Sequence, residues 1–476
     1  MKIKKITIKN FRLFNAENPF SVDNLNIPNN ADEGSGITVF VGENGCGKTT
    51  LLEAIALPLL SYKADSFQLN DLNNPDERTM IELFSESNFN VNGTMPNSTF
   101  LAKGFLFEAG VRARENRAYL STIVVSDQKF IKADNQNRPI ANSPDLRVSV
   151  NNPFSGQRFN ENDVIYLDRN RTFQTRSGTY NPTRFDRLME DFDYKYIKGE
   201  DSINDLNTNL EEVTQRNVAN EFLNSAVNKF GEMTGISISL NFLDNWRPFN
   251  RAFFAEKKEN NQLINLNMFG SGYEMIFSLI YSYYLSTQSG KQLILLIDEP
   301  ELHLHPSLQF EFVKFLLAIS KDVQIILTSQ SPLFVKQLLA NSKVKTLIVK
   351  LNADDEPELV SMNKKVLPYL SANEVNFLAF GLPTVEYHNE LYGSIQEIKP
   401  AYRISEMETY LVQRGTAQNK SWIKLTNGNP DSPVQYTLPT YIRNSIHHPE
   451  NNHNPQFTPE ELKQSIEQLY NLWPIT

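Results

Sequence analysis

A chain of 476 residues exceeds one ordinary hydrophobic core, so two or three domains are expected. With 40% hydrophobic residues, 21% charged residues and a formal net charge of −9, the composition is globular and argues against a whole-chain electrostatic nucleic-acid binder. The single cysteine, Cys46, excludes a disulfide framework and suits a reducing compartment; the N-terminus lacks the apolar core of a signal peptide, and no run approaches ~18 apolar residues, so a cytoplasmic protein without a membrane partner is expected.

The chain opens with an alternating stretch in which Ile3, Ile6 and Ile8 fall among lysines, predicting a strand with one buried face, followed by Asn10-Phe11-Arg12. An apolar strand, Ile37 to Val41, then leads into Gly42-Glu43-Asn44-Gly45-Cys46-Gly47-Lys48-Thr49, which fits G-x-x-x-x-G-K-[ST] at every fixed position. Thr50 to Ile55 has helix composition, so the motif has the strand–loop–helix context it needs. Glycines there let backbone N–H groups cradle phosphate oxygens, Lys48 reaches the β- and γ-phosphates, and the Thr49 hydroxyl holds Mg²⁺. ATP and Mg²⁺ are the expected ligands.

Residues 62–98 read as polar and irregular. Phe100 to Phe107, Tyr119 to Val125 and Leu146 to Val150 read as strands of an antiparallel β lobe, and Asp163 to Leu167 as a buried strand leading to Arg169 and Arg171. Residues 181–235 interleave charged and apolar residues and read as a helical insertion. Gly270-Ser271-Gly272 opens an apolar helix. The run QLILLIDE places Asp298 and Glu299 at the carboxyl end of a fully buried strand, where ligands sit in open α/β sheets. Asp298 is thus placed to hold the Mg²⁺ that Thr49 contacts, and Glu299 to orient or deprotonate an attacking water. His303 and His305, at i, i+2, do not share a helix face and lack further ligands at metal-site spacing. A helix from Ser307, a strand from Val323 to Thr328 and a last strand from Lys343 complete the sheet, with Gln330 just past a carboxyl end. Residues 364–476 read as a separate helical region, with helices over Leu367–Phe380, Val385–Glu397, Ser405–Gln413 and Pro459–Leu472.

The order of these motifs, from Ile8-Lys9-Asn10-Phe11-Arg12 through the phosphate loop and Ser271-Gly272 to IDEPELHLHP, resembles an ABC-type ATPase head of the SMC, RecF and OLD kind. The resemblance covers residues 1–350 apart from insertions. It implies an α/β P-loop head with a β lobe, spread over residues 1–180 and 236–363. It also implies head-to-head pairing, with the phosphate loop of one copy facing Ser271-Gly272 of the other. Asp298 becomes the Mg²⁺ residue, Glu299 the catalytic glutamate, and Arg12 a neighbour of the nucleotide. Two positions depart from the pattern: Gly270 stands where a hydroxyl residue is usual, and Gln330 where a histidine is usual. Gln330 hydrogen-bonds but takes up no proton near neutral pH, which points to slow hydrolysis or an ATP-held switch. Among such heads the chain is most similar to the ATPase subunit of Septu, with the PARIS ATPase next. That likeness implies a homo-oligomer controlling an HNH-type nuclease subunit in anti-phage defence, with nucleic acid engaged through the complex.

Residues 442–453 carry Arg443 and His448 in an R-x4-H spacing that resembles the motif of HEPN ribonucleases. The same residues also read as a turn of capped polar groups packing the tail. A self-contained ribonuclease and a RecF-like DNA-repair ATPase are therefore the alternative readings.

Overall fold

The computed structural model describes residues 1–60, 67–92, 99–112, 117–125, 162–167, 217–242, 252–260, 262–288, 292–302, 304–360, 367, 371–399, 401–426 and 428–473. Two compact units emerge. The first comprises Met1–Phe40, Gly45–Thr346 and Leu351–Glu358; the second comprises Leu359–Thr476 with the short pieces Val41–Asn44 and Leu347–Lys350.

Two sheets organise the first unit. One is antiparallel, in the order β2-β1-β4-β5-β6, built from β1 (Ile3–Lys9), β2 (Phe20–Val22), β4 (Thr79–Asn92), β5 (Thr99–Arg112) and β6 (Arg117–Val125). Ile3, Ile6 and Ile8 are fully buried, as their alternation predicts. β4 corrects the expectation of an irregular 62–98. Its inward Thr79, Ile81 and Leu83 are fully buried, while the exposed Glu86, Ser87 and Asn88 further along the strand disguised it. The expected strand over 146–150 lies outside the described residues.

The second sheet has the order β14-β13-β3-β12-β11-β7. Its strands are β3 (Ile37–Val41), β7 (Asn162–Leu167), β11 (Gln292–Asp298), β12 (Gln324–Ser329), β13 (Lys345–Leu351) and β14 (Pro357–Val360). Every residue of β3 and β12 is buried, as is all of β11 after Gln292. Strands covered on both faces need such unbroken apolar runs. β11 pairs in parallel with both β7 and β12, and the register sets Asp298 directly opposite Thr328. At the other end of β12 the buried Gln324 side chain accepts the Ile3 N–H at 2.7 Å and donates to the carbonyls of Ile3 and Asn26. That amide stitches the start of β1 to the second sheet.

Helices α1 (Lys48–Ala56), α2 (Asn217–Thr234), α3 (Ser271–Gln288), α4 (Pro306–Ile319) and α5 (Pro332–Leu339) accompany a small antiparallel sheet of β8 (Ile238–Phe242), β9 (Ala252–Lys257) and β10 (Leu263–Asn265). Phe277 of α3 packs against Phe230 of α2 and Phe254 of β9, with ring centroids 5.5 and 4.3 Å apart. This aromatic cluster fixes where α3 begins. Of the expected insertion, α2 forms the end, and residues 181–216 lie outside the described residues.

The second unit carries α6 (Ala372–Phe380), α7 (Val385–Ile398), α8 (Ile404–Gln413), α9 (Leu438–His447) and α10 (Pro459–Tyr470), with hairpins β15–β18 (Lys420–Trp422 and Val434–Tyr436) and β16–β17 (Leu425–Thr426 and Asn429–Pro430). Its core joins Tyr387, Leu391, Met407, Trp422, Ile442 and Ile466. Thr458 and Glu461 form a capping box that starts α10. The buried Glu408 carboxylate accepts from Thr437 N at 2.6 Å, Thr437 Oγ1 at 2.9 Å and Gln418 Nε2 at 3.0 Å, tying α8 to the start of α9. α9 corrects the first half of the turn read over residues 442–453, which is helical as far as His447. Leu438, Tyr441, Ile442 and Ser445 recur at helical spacing and are all buried.

Candidate functional site

The fully buried β3 delivers the chain to the Gly42–Gly47 loop, and α1 begins at Lys48. Gly47 has φ 99°, in the left-handed region, and a side chain there would meet Pro357 Cγ at 3.2 Å. At Gly45, φ 83°, the space is open. Asn44 and Gly45 are exposed, whereas Cys46, Lys48 and Thr50 are buried, and Lys48 Nζ lies 3.9 Å from Cys46 Sγ.

The strand register then brings the sequence-predicted residues together. The Thr49 hydroxyl bonds Asp298 at 3.1 Å to Oδ1 and 3.0 Å to Oδ2. The Thr328 hydroxyl donates to Asp298 Oδ1 at 2.5 Å and accepts the Glu299 N–H at 3.1 Å. Asp298 is fully buried and Glu299 nearly so. Glu299 has φ 47°, a conformation that costs a non-glycine residue about 1–2 kcal/mol. Gln330 Nε2 donates to Glu299 Oε2 at 3.0 Å. Behind this pair, Glu301 Oε1 accepts from Ser329 Oγ, Gln330 N and Ser331 N at 2.8, 3.0 and 3.2 Å. Burial, and secondarily the Glu299 carboxylate, raise the Glu301 pKa against the lowering effect of these bonds.

Arg12 lies on the Asn10–Asn15 turn, whose Leu13 approaches Gly47. Its guanidinium is held by Glu53 of α1 and by Asp71, the latter at 2.7 Å. Desolvation lowers its pKa, but the two carboxylates outweigh this and the net shift is upward. Ser271 is exposed at the N-terminus of α3 and Gly272 is buried behind it. Gly270 has φ 108°, which gives a local reason for glycine where a hydroxyl residue was expected.

His305 caps α4 through its side chain, and His303 lies outside the described residues, as do Arg169 and Arg171. Arg443 donates to Asn444 Oδ1 at 3.3 Å, and the exposed His448 faces Glu450 at 3.4 Å. Sequence reasoning missed Thr328, Glu301, Glu53 and Asp71. Glu301 carried a signal, as a third acid two residues past Glu299; Thr328 carried none until its strand partner was known.

The donor set suits a magnesium nucleotide. A hydroxyl and a carboxylate face each other at hydrogen-bond distance, as a hard cation that retains phosphate and water ligands requires. A buried lysine and a loop of left-handed glycines stand beside them.

A glycine loop between strand and helix, closed by an acid at the end of a neighbouring parallel strand, defines a P-loop ATPase site. Residues 37–336, well over half of the chain, match the family described as "AAA domain, putative AbiEii toxin, Type IV TA system", and the chain belongs to that family. It is 23% identical over 397 residues to Endonuclease GajA of Bacillus cereus (strain HuB5-5), covering 71% of this chain and 57% of that one. It is 21% identical over 355 residues to the OLD nuclease of Thermus scotoductus, covering 70% and 59%. The chain thus spans less than two thirds of the length of these relatives. An SMC head solved bound to the C-winged helix domain of ScpA is similar at a TM-score of 0.43 and 15% identity, covering 77% of this chain and 98% of that one. Among the described residues no helix is long and apolar enough to cross a membrane.

Proposed function

We propose that the protein binds Mg²⁺-ATP between the Gly42–Thr50 loop and Asp298, hydrolyses it slowly, and uses nucleotide state to set the pairing of two copies. The observation that carries this reading is the Thr49–Asp298–Thr328 cluster at the carboxyl ends of β11 and β12. Loop N–H groups and Lys48 would receive the phosphates. Thr49 and Asp298 would hold Mg²⁺, whose charge offsets that of the β- and γ-phosphates.

Glu299 would accept a proton from water as the water oxygen bonds the γ-phosphorus and the bond to the β–γ bridging oxygen breaks. Gln330 fixes the Glu299 carboxylate from one side but supplies no proton, in keeping with slow turnover. The exposed Ser271 at the start of α3 would meet the γ-phosphate held by a second copy, where N–H groups and the helix dipole favour an anion.

The nuclease activity in the names of both relatives supports a role in controlling nucleic-acid cleavage, with an HNH-type partner in the Septu-like version and defence against phage as its setting. Measuring phosphate release and particle mass together tests this. The reading expects turnover below ~0.1 per second, against a typical enzyme's ~10 per second, and an ATP-dependent doubling of mass in Glu299→Gln. Turnover of several per second, or a mass indifferent to ATP, would sink it.

A further inference from the structure

We infer that Glu301 is a positioning residue for hydrolysis: its buried carboxylate moors the turn after β12 so that the Gln330 amide reaches Glu299. The inference rests on the ATPase reading above.

Three donors from three consecutive residues, Ser329 Oγ, Gln330 N and Ser331 N, converge on Glu301 Oε1. Ser331 N divides its hydrogen bond between Glu301 Oε1 and Ser329 Oγ, the latter at 3.1 Å, so the Ser329 hydroxyl joins the turn to the carboxylate twice. Ser331 then caps α5 by accepting the Phe334 N–H at 3.3 Å. The turn is therefore held on one side by the start of a helix and on the other by the Glu301 carboxylate together with its own Ser329 hydroxyl. The second oxygen, Oε2, is buried without a hydrogen-bond partner among the described residues. A buried carboxylate with one triply bonded and one bare oxygen is costly to keep for stability alone, because the bare oxygen loses its hydration. Its raised pKa agrees with this desolvation.

What the arrangement provides is geometry. Gln330 N is held at 3.0 Å from Glu301, and the Gln330 side chain leaves that fixed backbone to meet Glu299 at 3.0 Å. Two acids, Glu299 and Glu301, thereby act on one residue from its side chain and from its backbone. The Glu301 side-chain bonds go to Ser329, Gln330 and Ser331, on the β12 turn and not on the phosphate loop. Loss of Glu301 therefore reaches the proton-accepting step and spares nucleotide binding.

The test compares wild type, Glu301→Ala, Glu301→Gln, Gln330→Ala and the double variant, with Glu299→Gln as reference, in Mg²⁺-ATP binding and single-turnover hydrolysis. Glu301→Ala should lower kcat about tenfold or more, as misplacement near reacting groups does, with the ATP Kd unchanged within about twofold. Glu301→Gln keeps the triply bonded oxygen and should stay within about threefold of wild type, which also guards against a folding failure of the alanine variant. Since both residues act through one contact, Glu301→Ala/Gln330→Ala should be no slower than Gln330→Ala alone. An additive double variant, a Kd that rises in step with the loss of kcat, or an unimpaired Glu301→Ala would each overturn the inference. Hydrolysis lost in Glu299→Gln but untouched in Glu301→Ala would sink the inference alone. Hydrolysis absent from wild type would sink the parent reading with it.

Discussion

Replacing Thr328 by valine removes one hydroxyl and almost no volume. That hydroxyl serves both acids, donating to Asp298 Oδ1 at 2.5 Å and accepting the Glu299 N–H at 3.1 Å. The Glu299 N–H keeps a second acceptor, the Thr328 carbonyl at 3.2 Å, so no backbone donor is orphaned. What is lost is one hydrogen bond to a buried carboxylate, about 1.5–3 kcal/mol. Asp298 retains the Thr49 hydroxyl but gains rotamer freedom, and re-ordering it on binding costs about 0.5–1.5 kcal/mol, a ~2- to 10-fold loss of Mg²⁺-ATP affinity. Chemical denaturation should show a first unit weakened by about 2 kcal/mol, and titration calorimetry should show the weaker affinity. Thr328→Ser keeps the hydroxyl and should restore binding, although its missing methyl costs some stability. A valine variant as stable as wild type, with undiminished Mg²⁺-ATP affinity, would refute the claim that Thr328 sets Asp298.

Gly47→Ala combines a left-handed backbone at φ 99° with a new carbon 3.2 Å from Pro357 Cγ, so the loop must distort. About 1–2 kcal/mol of strain enters, and ATP affinity should fall at least tenfold in an equilibrium binding assay while α2 and α3 keep their helicity by circular dichroism. His388, buried in the second unit with Nε2 3.0 Å from Ser465 Oγ, is held neutral, its pKa lowered by burial to about 4. The unfolded chain binds its proton from about pH 6.5 downward, so the second unit should lose stability as pH falls from about 6.5 to 4, by roughly 3 kcal/mol, and be flat in this respect above that window. Denaturation of Glu408-containing α8 and its neighbours, followed through Trp422 fluorescence, should show that slope in wild type and a shallower one in His388→Gln.

Much of the site could be read from the chain because burial on both faces leaves a plain mark. β3, β11 and β12 are apolar runs that end in chemistry, and their ends are where the phosphate loop, Asp298, Glu299 and Gln330 lie. The spans expected over Val385–Glu397, Ser405–Gln413 and Pro459–Leu472 match α7, α8 and α10, the last of which starts at the Thr458–Glu461 box. β4 was hidden because Ser85, Glu86, Ser87 and Asn88 interrupt the alternation that the buried Ile81 and Leu83 begin. α9 was hidden because Asn444 and two histidines mimic a turn, although Tyr441, Ile442 and Ser445 hold a buried face. Thr328 and Glu301 were not legible as partners, since their roles depend on a parallel register and on a turn that close in space residues about 30 apart in the chain. The placement of Arg12 against Glu53 and Asp71 depends on the same kind of long-range closure.

The central claim is that one magnesium nucleotide sits between the phosphate loop and the end of β11. Equilibrium ATP binding measured with and without Mg²⁺, for wild type, Thr49→Val and Asp298→Asn, tests it most directly. The account predicts tight binding that Mg²⁺ strengthens at least tenfold in wild type and leaves unchanged in both variants. Binding that ignores Mg²⁺ in wild type, or a Mg²⁺ effect that survives in both variants, would contradict it.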